Sequence, residues 1–423
     1  MRIAEKSEWT TREKGEFLMK HKARTKAMSW LLSLALALSL VPAFSLTAWA
    51  GDVTPYDVWV GGVQVTSANL SGEGWSYMPA TDIGDFIIPA SLTLNGYSYE
   101  GAGHAGNTFS GAIYAEQDLE IYLQVETNNS IKSNESDDVT SCAIYVAGNL
   151  TINGSGSLTA SGQMGIVAGR NLTIVCDTSQ IPSGSITVTG SSGSGIRSVN
   201  GNIEIQDGNL TVNGGTYGVS TDNRTDEGVG DLTIIGGTLT VNGDYGICVN
   251  NMVFDKDRLT RSTVVTATGK SQAIYADTVT VADLMYVKAG TDKDHSSPVE
   301  DTGTWTHTEQ WVKAKVFPEV YVGDTQVTRN VRSGDGWNFD LDTDTLTLNG
   351  YSYKGVGYLV EDAFASGGIY ARQSLNIELN GNNRVINTRN NNDYAEFGIH
   401  VAGKLSISGT GTLTAWGETG IFC

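Results

Sequence analysis

A chain of 423 residues with 51 Gly, 7 Pro and only 17% charged residues is long enough for two domains. It shows no helical apolar period beyond its N-terminus, which excludes an α-class fold. The net charge of −19 argues against nucleic acid and anionic membrane surfaces as partners. Four scattered cysteines with no CxxC or Cys/His spacing exclude a disulfide scaffold, and we expect free thiols.

Residues 1–50 read as a secretory signal peptide. Lys20, Lys22, Arg24 and Lys26 form a basic start, an apolar run follows from Ala27 to about Leu46, and "AWA" places small residues at Ala48 and Ala50. The apolar run is long, so an uncleaved membrane anchor is the alternative. Cleavage after Ala50 would leave 19 basic and 42 acidic residues, a net charge of −23. A polyanionic glycan would then be repelled unless divalent cations bridged it.

Residues 51–103 predict a β cap. "VWVGGVQVT" and "SLTLNGYSYEG" alternate apolar and polar residues around tight turns, as hairpin strands do. Residues 104–290 carry a repeat. An Ala or Gly followed by an aliphatic residue recurs at Ile113, Ile144, Ile166, Ile196, Val219, Ile247 and Ile274, 22 to 31 residues apart. Each unit adds an "LTI"-like strand, from Leu119/Ile121 to Leu232/Ile234, and most add a third such as "SLTASG" or "TLTVNG". Three short period-2 strands per unit predict one rung of a parallel β-helix, with aliphatic ladders inside and Thr and Asn outside. "NLT" at Asn149, Asn171 and Asn209 reads as the start of a rung strand rather than a glycosylation signal.

Residues 291–317 are a polar, charged joint. The pattern then starts again. "VYVGDTQVT" and "TLTLNGYSYKG" predict a second β cap over 318–358, and residues 359–423 predict a second, incomplete β-helix. Its aliphatic marks, Ile369, Ile399 and Ile421, are 30 and 22 apart. The whole is an all-β, right-handed parallel β-helix solenoid with an N-terminal cap, repeated in tandem. The second copy stops mid-pattern, so we expect the sequence to be a piece of a longer gene product.

The string "YDVWVGGVQVT…LTLNG…AIYAEQDLEIYL…AIYVAGNLTINGSGSLTASG" resembles the carbohydrate-binding, pectate-lyase-like β-helix domains of secreted clostridial proteins. The resemblance covers about residues 56–290 and 318–423. It implies binding of plant cell-wall polysaccharides, cellulose and pectin among them, with Ca²⁺ sites in some members. It does not decide activity.

Three constellations carry candidate chemistry. In "AIY" the Ile points inward and the Tyr outward, so Tyr114, Tyr145, Tyr275 and Tyr370 are candidate glycan-binding residues, with His400 in the same position. Trp59, Trp75 and Trp337 read as packing residues of the caps. Glu135, Asp137 and Asp138 in one inserted loop, and Asp222, Asp226 and Glu227 in another, are candidate Ca²⁺ ligands, because Ca²⁺ takes six to eight oxygen donors. Asp340, Asp342 and Asp344 in "DLDTDT" offer three more carboxylates. A lyase would need a basic residue to take the proton beside a carboxylate, and Arg197, Arg224, Arg258 and Lys256 are placed on the solenoid. The expected function is a secreted or cell-surface polysaccharide-binding module of a bacterium, with Ca²⁺ as the expected assisting ion. The alternatives are an adhesin-like stalk without glycan binding and a pectate-lyase-like enzyme.

Overall fold

The computed structural model describes residues 53–84, 87–134, 138–176, 184–222, 230–255, 258–260, 263–282, 285–299, 306–360, 365–388 and 394–423. The expected signal peptide therefore lies outside the described residues. Those described contain strands, turns and bends and no helix, and they wind into a β-solenoid of about 10 turns.

The period-2 alternation becomes three ladders. Ile113, Ile144, Ile166, Ile196, Val219, Ile247 and Ile274 follow one another in register through parallel strands. None of the seven is more than 2% exposed. Leu119, Leu150, Leu172, Ile203, Leu232 and Met252 make a second ladder. Ile131, Ala160, Val188, Val212, Val241 and Ala267 make the third. The three converge on one core. Each buried Ile or Leu contributes roughly 1.5–3 kcal/mol relative to the exposed side chain.

A polar ladder fixes the corners. The side-chain oxygen of Asp118 accepts the backbone N–H of Asn149, Asn149 accepts that of Asn171, and Asn171 that of Asn202. Asn202 in turn accepts the N–H of Asp231, and Asp231 that of Asn251. The Asn of two "NLT" strings thus satisfies a corner amide of the next rung.

The same local construction occurs twice. Strand Pro55–Val60 runs antiparallel to Phe109–Ala115 with Trp59 opposite Tyr114. Strand Val320–Val322 runs antiparallel to Ala365–Ala371 with Tyr321 opposite Tyr370. Trp75–Met78 lies antiparallel on Ser91–Leu94, and Trp337–Asp340 on Thr345–Asn349. The side-chain Oδ1 of the buried Asn129 accepts the N–H of Tyr97 at 2.9 Å, and that of the buried Asn383 accepts the N–H of Tyr351 at 2.8 Å.

Between the copies, the charged stretch hides an alternation of its own. Val312, Ala314 and Val316 are buried in the first core, and strand Trp311–Val316 pairs antiparallel with both Val264–Tyr275 and Met285–Gly290. It thus occupies an edge that the parallel strand Val264–Tyr275 would otherwise leave unpaired. Tyr286 and Phe317 belong to the second core. Lys288 pairs with Asp342 at 2.7 Å and Lys315 with Asp344 at 2.8 Å, so these lysines bind the turn between strands Trp337–Asp340 and Thr345–Asn349 of the second copy.

Candidate functional site

The outer face of the sheet that carries the Ile ladder presents two columns of side chains. One runs Tyr114, Tyr145, Val167, Arg197, Ser220, Cys248 and Tyr275. The other includes Ser194, Tyr217, Tyr245 and Gln272. The candidate tyrosines lie outside the aliphatic ladder, but only part of the expected row is open. Tyr114 is 6% exposed and Tyr370 is 2% exposed. This corrects the reading of both as exposed rings. Trp59 and His104 stack at 4.0 Å and both meet the Tyr114 ring, at 5.5 and 4.7 Å. Tyr321 and Tyr358 stack at 3.5 Å, and Tyr358 lies 5.3 Å from Tyr370. In both copies the opening strands cover the first outward tyrosine. Burial lowers the pKa of His104 and raises that of Tyr114. His400 is also buried beside Tyr370, and burial lowers its pKa, which keeps the ring neutral.

Tyr145 is half-buried, 4.9 Å from Phe109 and 5.1 Å from Tyr114. The Arg197 guanidinium lies over the Phe109 ring at 5.9 Å. Farther along, Tyr217 and Tyr245 are half-buried neighbours at 5.8 Å, and Tyr245 lies 5.7 Å from Tyr275, which is 43% exposed. Three partly open rings on successive rungs form a row about one inter-strand step apart. Tyr217 and Tyr245 escaped the sequence reading. Their signal was an aromatic residue immediately before Gly and the aliphatic mark, in "TYGV" and "DYGI".

The charged candidates divide differently. Glu135, Asp137, Asp226, Glu227, Arg224 and Lys256 lie outside the described residues. Asp138 is exposed. Asp222 is held by Arg197, whose Nε donates to Oδ1 at 2.8 Å. Arg258 pairs with Asp255 at 2.6 Å and with Glu204 at 3.3 Å. Two carboxylates of "DLDTDT" receive lysines, as above, and Asp340 accepts the Asp342 N–H. Among the described residues no group of three His, Cys, Asp or Glu side chains is placed to hold a metal ion.

The chain is thus an all-β solenoid with partly open tyrosines on its outer face. Residues 90–329 match the family described as "Carbohydrate-binding domain-containing protein", more than half of the chain, and the chain belongs to that family. No curated protein and no solved structure matches it.

Proposed function

We propose that the chain is a polysaccharide-binding module of an exported or cell-surface protein, resembling the pectate-lyase-like clostridial type. The observation that carries this reading is the Tyr217–Tyr245–Tyr275 row, whose rings lie 5.8 and 5.7 Å apart on the outer face. Flat rings in sequence offer the apolar faces of successive sugars a stacking surface, and their hydroxyls offer hydrogen bonds. The family assignment supports the same class of ligand. Ca²⁺ assistance belongs to this reading as an expectation of the sequence alone, since Asp222 is held by Arg197. A glycan array probed with and without chelator tests the reading. Retention that falls when Tyr245 is replaced by Ala is expected, and no retention on any glycan under either condition overturns it.

An adhesin-like stalk is the second reading. It is favoured by the Lys288–Asp342 and Lys315–Asp344 pairs, which tie one solenoid copy to the next. Its mark would be full rigidity of the joined copies with no glycan retained.

A further inference from the structure

The outer face also carries two open depressions, and we infer that together they form one groove, an axial binding site for a linear glycan, lying across the rungs rather than along a strand. This rests on the polysaccharide-binding reading and goes beyond it by naming the site and the direction of the chain.

Two stretches of the groove are open. One of about 480 Å³ is lined by Asn213, Gly214, Asn242, Gly243, Thr268 and Lys270. The other, of about 260 Å³, is lined by Lys132, Ser133, Ser161, Gly162, Thr189 and Ser191. The strand register joins them. Lys132, Ser161, Thr189, Asn213, Asn242 and Thr268 succeed one another rung by rung as one wall. Gly162, Gly190 and Gly214 stand in line beside it, as do Gly243 and Gly269. The concavity has a local cause. A Cβ on Gly214 would strike the Tyr217 carbonyl oxygen, and one on Gly269 the Gln272 carbonyl oxygen, so the chain bends here more sharply than a side chain permits. Just beyond that bend Tyr217 begins its strand, and the strand Thr238–Cys248 runs on through Asn242 and Gly243 to Tyr245. The groove therefore runs between a polar wall and the strands that bear the tyrosine row.

The wall is made of groups that hydrogen-bond sugar hydroxyls. Asn242 Nδ2 donates to Asn213 Oδ1 at 2.9 Å, which leaves a donor and an acceptor of the pair for a ligand. The charges are spent internally: Lys132 pairs with Glu100 and Lys270 with Asp244, at 2.7 and 2.8 Å. The six wall positions span about 24 Å at ~4.8 Å per rung. A pyranose unit of an extended glycan advances by about one such step. The groove thus presents about one polar group per sugar to a run of about five or six sugars.

Affinity electrophoresis in gels containing a β-1,4-glucan, a xylan or a polygalacturonate with Ca²⁺ tests this, with oligosaccharides of the retained polymer as competitors. The variants are Asn213→Ala/Asn242→Ala in one stretch and Thr189→Ala in the other, each checked by its melting curve. All three positions are partly solvent-exposed, so the folded state should persist. We expect retardation of the native chain, a loss of about tenfold in affinity in the double variant, and a smaller loss in Thr189→Ala. Competitor strength should climb with length to about five or six sugars and then level off. Retardation in a gel that neither variant weakens, or competition already complete with a disaccharide, overturns the axial groove and leaves the binding reading standing. No retardation in any gel overturns both.

Discussion

The Lys315 ammonium, almost wholly buried, lies 2.8 Å from the Asp344 carboxylate across the boundary between the two copies. Lys313 stands nearby, its pKa lowered first by burial and then by the charge of Lys315. Removing the Asp344 charge would leave two lysines crowded without that counter-ion. Asp344 sits at φ 50°, a left-handed conformation that Asn also tolerates, so Asp344→Asn tests the charge with little backbone cost. The expected loss is about 1–2 kcal/mol, because the carboxylate is partly solvated. Calorimetry should show it as a lower midpoint, with the second copy melting first. An unchanged melt would mean that the ion pair does not hold the copies together.

Ile144 and Tyr145 are adjacent in sequence and opposite in fate. Ile144 is fully buried between Ile113 and Ile166, and Tyr145 is half-buried on the outer face. Ile144→Asp places an unpaired carboxylate in the core and should cost several kcal/mol. Tyr145→Ala loses ring contacts to Phe109 and Tyr114 and should cost about 1–2 kcal/mol. Denaturant titrations of both rank the two effects. Equal losses would contradict the inward and outward assignment.

That assignment was legible in the sequence, because a period of two survives in any rung and the aliphatic marks recur at rung spacing. The register from Ile113 to Ile274 follows the marks position by position. What covers an outward residue was not legible. Tyr114 and Tyr370 carry the same local text as an open tyrosine, but Trp59 and Tyr321, some fifty residues earlier, are paired opposite them. Coverage is decided by antiparallel pairing at long range, which no local pattern states. Asp342 and Asp344 illustrate the same limit, since their partners, Lys288 and Lys315, lie 54 and 29 residues away. Tyr217 and Tyr245 were illegible for a different reason: they precede the Gly–aliphatic mark, whereas the tyrosine of the "AIY" pattern follows it.

The cysteines give a prediction with a definite sign. Cys142, Cys176 and Cys248 are buried and Cys423 is exposed, and none of the four is in a disulfide. A thiol reagent should modify one of the four in the native protein and all four in denaturant. Burial pushes the Cys176 thiol from 9.0 up to about 12, with the nearby Asp207 adding to the shift. Between those values the unfolded chain loses a proton that the folded chain keeps. The resulting stability is complete below pH 9 and is lost as pH rises toward 12, by at most about 1.4 kcal/mol per pH unit. Cys176→Ala should flatten that part of the alkaline stability curve. A curve as steep as that of the native chain would assign the alkaline loss to other groups, first the Cys142 thiol, which burial raises further than that of Cys176, and then Tyr77, which burial raises to about 12.

Tyr245 and Tyr114 separate binding from folding. Both sit among other rings on the outer side of the Ile ladder, but Tyr245 is partly open between Tyr217 and Tyr275 whereas Tyr114 is covered by Trp59 and His104. If sugars stack on the open row, Tyr245→Ala removes its central ring. Retention on the bound glycan should weaken by about tenfold, with a stability loss of about 1–2 kcal/mol for the ring contacts to Tyr217 and Tyr275, as for Tyr145→Ala. Tyr114→Ala instead empties a closed space between the opening strands and the first rung. It should cost about 3 kcal/mol of stability while the folded fraction binds as before. Measuring melt and retention for both variants yields a crossed pattern. The opposite pattern, with binding lost in Tyr114→Ala and kept in Tyr245→Ala, would move the glycan to the end of the solenoid where Trp59 and Phe109 lie.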